Sequence, residues 1–167
     1  TISSTITINA GTLALSGSGS ATAVTGVTVN LGGTLTLDNS TTAVADRLNG
    51  TGGTNAIIIT LNGGNLNFLG NSAATASETL GQLALASGHN VVTVTPGAGG
   101  STTLTFATNP GLNRTAGATV LFRGTSLGSN SGANVSTLVF TTTPTLTGAG
   151  GASGSATVSI IKGAFGD

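Results

Sequence analysis

Residues 29–37 read Val29-Asn30-Leu31-Gly32-Gly33-Thr34-Leu35-Thr36-Leu37, and residues 61–68 read Leu61-Asn62-Gly63-Gly64-Asn65-Leu66-Asn67-Phe68. Each is an apolar strand closing on Asn, then a Gly-bearing corner, then a second strand that alternates apolar and polar. A third version opens the chain, Ile8-Asn9-Ala10-Gly11-Thr12-Leu13. Gly reaches the positive φ that a tight corner needs, and Asn tolerates it better than most residues. A strand, corner and strand used three times over points to a chain that winds.

The same period of 2 extends outward from these stretches. Ile6 and Ile8 alternate with Thr5 and Thr7, and Val92 and Val94 alternate with Thr93 and Thr95. That is the strand signature, strengthened by β-branched residues and bounded by Gly and Asn clusters. The two stretches with some helical character, Thr41 to Leu48 and Ala73 to Ala86, are short or interrupted by Gly81. The chain is predicted to be all-β.

An apolar-x-apolar pair recurs at Leu13/Leu15, Leu35/Leu37, Leu66/Phe68, Leu83/Leu85, Leu104/Phe106, Val120/Phe122, Leu138/Phe140 and Val158/Ile160, with a mean step of about 21 residues. Such a step suits one turn of a repeat architecture. Residues 1–167 are therefore read as a single parallel β-helix (β-solenoid) domain, or a segment of a longer array, with about eight irregular rungs. At about 4.8 Å per rung it would be a rod of roughly 35–40 Å. The alternative is a jelly-roll-like β-sandwich that polymerises by strand addition, since sandwiches also space short strands by turns.

Composition bounds the function. The chain has 28 Gly, 3 Pro, no Cys, Met, Trp or Tyr, and four basic and four acidic residues, giving 5% charged residues against about 25% in ordinary globular proteins. Without Cys there is neither a disulfide framework nor a Cys-ligated metal site. Four scattered basic residues make no nucleic-acid surface. Positive mean hydropathy and zero net charge indicate a folded chain. No apolar run approaches the ~18–20 residues of a membrane-spanning segment. There is no signal peptide and no initiator Met, so the chain reads as processed, truncated or excised.

Several of these stretches, in this order, resemble a known family. They are Gly32 to Ser40 (GGTLTLDNS), Asp46-Arg47-Leu48, Leu61 to Gly70 (LNGGNLNFLG), Glu78-Thr79-Leu80-Gly81-Gln82-Leu83 and Ser87 to Thr95 (SGHNVVTVT). Leu104-Thr105-Phe106, Leu112 to Gly124 (LNRTAGATVLFRG) and Ala156 to Asp167 (ATVSIIKGAFGD) continue the series. The order is similar to that of the autotransporter-associated β-strand repeat family of very large bacterial secreted proteins. The resemblance implies a passenger-type β-helix displayed outside the cell and carries over no catalytic site.

The chemistry-bearing residues are few. The acids are Asp38, Asp46, Glu78 and Asp167; Asp38 and Asp46 could approach across a loop, but turn capping is the expected role. His89 is the only histidine and is read as a loop residue, so neither a His metal site nor a triad is expected. The Gly-rich stretches Gly50 to Gly53 and Gly97 to Gly100 lack the Asp of a calcium repeat, and Lys162 has no phosphate-loop context. Asp46, Arg47, Glu78, Arg114 and Arg123 are candidates for ion pairs, including pairs that set register between chains. The sequons at Asn39, Asn49, Asn113 and Asn134 occur at the frequency chance predicts. Phe68, Phe106, Phe122 and Phe140 fall in the inward register of the repeated pair, so they are expected in the core rather than on a sugar platform.

No catalytic, cofactor or metal residue is therefore predicted, and the chain is not read as an enzyme. Strand-like sequence runs to both termini without a polar cap, so both ends are expected to be open. Head-to-tail contact with itself would then give an extracellular or cell-surface filament or stalk, with adhesion as an expected consequence. The alternative is a non-catalytic module that binds cell-surface glycans or other polysaccharide.

Overall fold

A computed structural model describes residues 4–48, 57–153 and 155–167. Among these residues there is no helix, and the strands come in successive tiers. The first holds β1 (Ser4–Ile8) and β2 (Gly11–Leu15), and the second β3 (Val24–Asn30) and β4 (Gly33–Asp38). The third holds β5 (Ile58–Asn62), β6 (Asn65–Leu69) and β7 (Ala76–Leu80), and the fourth β8 (Gln82–Ser87), β9 (His89–Thr95) and β10 (Thr102–Phe106). The fifth holds β11 (Leu112–Arg114), β12 (Thr119–Gly124) and β13 (Ser136–Phe140). Three short strands follow: β14 (Leu146–Thr147), β15 (Ile160–Ile161) and β16 (Ala164–Gly166).

Strands stack by tier into three parallel sheets, ordered β1-β3-β5-β8-β11, then β2-β4-β6-β9-β12-β16, then β7-β10-β13. Among the described strands only β14 and β15 pair antiparallel. A sandwich of hairpins would need antiparallel ladders throughout, so that alternative is set aside. The expected eight rungs spaced by about 21 residues also need correction. In the second sheet Leu13, Leu35, Leu66, Val92 and Phe122 lie in register, so successive steps are 22, 31, 26 and 30 residues. The apolar pairs look alike in sequence but sit on different faces. Leu83/Leu85 belong to the first sheet, and Leu104/Phe106 and Leu138/Phe140 to the third. Their short spacings measure the walk from face to face, not from tier to tier.

The core is built of columns. Val27, Ile59 and Leu83 stack in the first sheet, beside Val29, Leu61 and Leu85, and all six are buried. Leu35 and Leu66 stack in the second, beside Leu37 and Phe68. Each fully buried side chain of this size contributes about 1.5–3 kcal/mol relative to exposure. In the third sheet Phe106 stacks on Phe140 with ring centroids 5.3 Å apart, and Phe122 meets Phe140 edge-on at 6.0 Å. Of the five phenylalanines only Phe165 is well exposed.

The corners use the residues that mark them in sequence. Gly32 and Gly63 hold φ of 83° and 77° at the β3–β4 and β5–β6 turns. The Asn before each corner forms a ladder along the stack. Asn30 Nδ2 donates to Asn9 Oδ1 at 2.8 Å, Asn62 Nδ2 to Asn30 Oδ1 at 3.2 Å, and Ser87 Oγ to Asn62 Oδ1 at 3.0 Å. Tiers also meet closely elsewhere, where the turn at Gly97 lies directly on the backbone of Asn71 and Ser72.

The two stretches with some helical character are non-helical. Residues 41–48 form a loop, and residues 73–86 supply β7 and most of β8. The ends also differ from each other. The outer edges of β1 and β2 are unpaired among the described residues, as expected. At the other end, however, β16 covers β12 and the β14–β15 pair turns antiparallel. The strand-like tail thus partly closes the C-terminal end rather than leaving it open.

A Cβ on residue 97 would overlap the Asn71 carbonyl and the Ser72 amide nitrogen, whereas one on residue 166 meets nothing within 4 Å. Gly97→Ala should lower stability by about 3 kcal/mol in chemical denaturation, and Gly166→Ala should cost little. Equal midpoints for the two variants would contradict this stacking.

Candidate functional site

Among the described residues the third face has no strand in the first two tiers, and β7 lies at the edge of its sheet. Unpaired backbone groups buried there would cost about 1–3 kcal/mol each. Side chains take the place of the missing strand. Glu78, whose side chain points inward on β7, accepts the Arg47 N–H through Oε2 at 2.8 Å and the Leu48 N–H through Oε1 at 3.0 Å. In return Asp46 Oδ1 accepts the Thr79 N–H at 2.9 Å. Asp46 adopts φ of 52° to present its carboxylate this way. Leu48 also bridges Ala21, and the Ala21 N–H donates to the Arg47 carbonyl at 2.7 Å.

Arg47 is fully buried, at 0% exposure. Its guanidinium ties its own loop after β4 to the loop between β2 and β3. Nε donates to Asn39 Oδ1 at 2.5 Å, Nη1 to the Gly19 carbonyl at 2.6 Å, and Nη2 to the Gly17 and Thr42 carbonyls at 2.8 and 2.9 Å. Asn39 donates in turn to the Val44 carbonyl, and Asn71 Nδ2 donates to the Asn39 carbonyl at 3.0 Å. A planar five-donor group suits such a cage of acceptors; a lysine could not bridge it. Burial lowers the Arg47 pKa, partly opposed by the charges of Glu78 and Asp38.

Glu78 is also 0% exposed. Burial pushes its carboxyl up to about 7, against the pull of the Leu48 and Arg47 N–H groups; the nearby Asp46 charge raises it further. Asp38 behaves oppositely. The Ser40 hydroxyl and then its backbone N–H hold its carboxyl below the usual range. The arrangement engages Asp38, Asp46 and Glu78 with backbone N–H groups.

The remaining sequence candidates are dispersed. Asp38 caps Ser40 at 2.9 Å while Asp46 serves Thr79, so the two acids do not form a working pair. His89 is exposed at the start of β9, with Nδ1 3.0 Å from Thr119 Oγ1. Of the expected ion pairs, Arg123 Nε meets Asp167 Oδ2 at 2.9 Å, with both side chains more than half exposed, at 53% and 61%. Arg47 and Glu78 meet through the Arg47 backbone rather than its guanidinium, and Arg114 donates to the Ala118 carbonyl at 2.9 Å. The sequon Asn39 is buried inside the Arg47 network, Asn113 is exposed, and Asn134 accepts the Gly99 N–H at 2.7 Å. Asn49 and Gly50 to Gly53 lie outside the described residues.

Sequence reasoning missed Asn71 and the inward placement of Glu78. A signal was present. Ala76, Glu78 and Leu80 share one phase of alternation, as Thr102, Leu104 and Phe106 do, and the two sets are in register. No family model matches the chain, and neither does any curated protein or solved structure.

The raised Glu78 pKa fixes the sign of a pH effect. A folded value near 7 against an ordinary 4.5 means that its stabilising contribution is complete below about 4.5 and is lost as pH rises through 7. The depressed Asp38 loses its contribution only at lower pH, outside that window. Chemical denaturation should find the protein about 3 kcal/mol more stable at pH 5 than at pH 8, at 1.36 kcal/mol per pKa unit. Glu78→Gln should remove the slope and weaken the fold at both pH values, because it sets an amide N–H₂ against one of two N–H donors. A wild-type stability that does not change between pH 5 and 8 would contradict the burial cost assigned to the ionised Glu78 carboxyl.

Proposed function

We propose that the chain is a β-solenoid acting as a structural element outside the cell, a filament or stalk segment that lengthens by stacking end on end. One observation carries this reading. The outer edges of β1 and β2 are unpaired among the described residues, and the apolar columns run out to that edge at Ile6, Leu13 and Leu15, which are only partly buried. An exposed pair of edge strands over a truncated core is a template for more strands.

Three further features support it. The Asn ladder ends at Asn9, whose Nδ2 has no acceptor among the described residues, so a further tier with an acceptor at that corner would extend it. The far end is unlike this one and exposes Leu146, Val158, Ile160 and Phe165. Unlike apolar ends favour heterologous contact, which does not close on itself and gives open filaments. Few charges of either sign stand in the way of edge-to-edge association. The extracellular setting rests on the resemblance of Gly32 to Ser40 and the later stretches to secreted repeat proteins.

Sedimentation velocity over a concentration series, followed by electron microscopy, tests this proposal. The wild-type chain should associate with rising concentration into rods, and Leu13→Lys, which places a charge at the open end of a column, should stay monomeric with its strand content intact. A wild-type chain that remains monomeric at every concentration would overturn the proposal.

A further inference from the structure

Two of the four basic side chains, Arg114 and Lys162, line a single cleft of about 300 Å³, and neither has an acidic partner. All eight charged residues lie among the described ones, so the assignment of charges is complete. Arg47 is caged by carbonyls and Arg123 is paired with Asp167. Asp38, Asp46 and Glu78 are engaged by Ser40, Thr79, and Arg47 with Leu48. A chain of zero net charge therefore concentrates two uncompensated positive charges in one concavity.

The cleft lies between β11 and the antiparallel β14–β15 pair, at the end of the stack opposite β1 and β2. Arg114 is held there from one side. Nη1 donates to the Ala118 carbonyl at 2.9 Å and the Thr115 carbonyl at 3.4 Å. Nε and Nη2 have no acceptor among the described residues. A Cβ on Gly163 would stand 3.4 Å from Nη1, so the glycine after Lys162 lets the guanidinium pack against that turn. The result is a positioned fork with one edge free, the geometry that meets a carboxylate or sulfate with two parallel hydrogen bonds. Neutral groups complete the lining, with the Asn113 amide, the Thr145 and Thr147 hydroxyls and an apolar wall at Ile161.

We propose that this cleft binds an acidic saccharide, taking the oxyanion of one sugar unit on Arg114 and Lys162 and its hydroxyls on Asn113, Thr145 and Thr147. Its volume is at the small end of ligand pockets, ~300–1,000 Å³, which suits one or two sugar units. An acidic peptide would make less use of the hydroxyl and amide donors. Because the site is open to solvent, affinity should be modest and salt-sensitive. The cleft belongs to one copy, so the inference does not rest on the stacking proposal.

Amide NMR titration of the full chain at a concentration where it is monomeric tests this inference, with glucuronate, glucose and triglutamate as probes. Glucuronate should shift the Asn113, Thr145, Thr147 and Lys162 amides saturably, and 0.5 M NaCl should weaken it severalfold. Glucose at equal concentration should leave them in place. Lys162→Gln, at an exposed side chain, should weaken glucuronate about fivefold or more with the rest of the spectrum unchanged. Arg114→Lys should abolish saturable binding by losing the fork. No saturable shift, equal shifts with glucose, or undiminished binding by Lys162→Gln would overturn the inference, and so would tighter binding of triglutamate than of glucuronate. Self-association is read separately by sedimentation, so failure of either proposal leaves the other standing.

Discussion

The parallel hydrogen-bond ladder between tiers is the constraint on which everything else in this molecule depends. Evenly spaced, slanted bonds hold each strand over the one before it with the same side chain inward. Leu35 must then sit on Leu66, and Val29 on Leu61, without slipping. A one-residue slip would turn every threonine of the outer face into the core. The Asn ladder at the corner reinforces that register from outside the sheets. Asn9, Asn30 and Asn62 meet only if each tier begins its second strand at the same place.

The ladder also sets the molecule's main difficulty. A face that lacks a strand leaves the next strand over it with nothing to bond, and among the described residues that occurs beneath β7. The solution is a carboxylate used as two backbone carbonyls and a guanidinium used as a loop clasp. Glu78 and Arg47 therefore contribute little as an ion pair. Their value lies in satisfying groups that burial would otherwise leave unpaired, and removing either partner exposes that cost. In a chain with only eight charged residues, two fully buried ones mark where the regular pattern breaks.

Much of this was legible in the residues. Alternation at Thr34 to Leu37 and Val92 to Thr95 identified strands, and Asn30 to Gly33 and Asn62 to Gly64 identified corners, because each relies on local backbone chemistry. Tier length was not legible. Leu83/Leu85 and Leu66/Phe68 have the same local pattern, and only the three-dimensional winding assigns them to different sheets. The partly covered C-terminal end escaped for a related reason, since nothing local tells Ile160-Ile161 to pair antiparallel with Leu146-Thr147. Glu78 and Arg47 read only as ion-pair candidates, because their burial follows from the lack of a strand beneath β7 among the described residues, which no pattern within either segment announces. The pairing of Arg114 with Lys162 in one cleft joins positions 48 residues apart and needed the fold itself.

Residue-resolved hydrogen exchange on the monomer tests the stacked arrangement most directly. An edge strand in a parallel sheet bonds to its one neighbour through alternate amides, and its remaining amides face solvent. The account predicts alternating fast and slow exchange along β1 and β2, continuous protection along β5, β6, β8 and β9, and protection of β12 where β16 covers it. Continuous protection of β1 and β2 in the monomer, or alternation along β5, β6, β8 or β9, would contradict it.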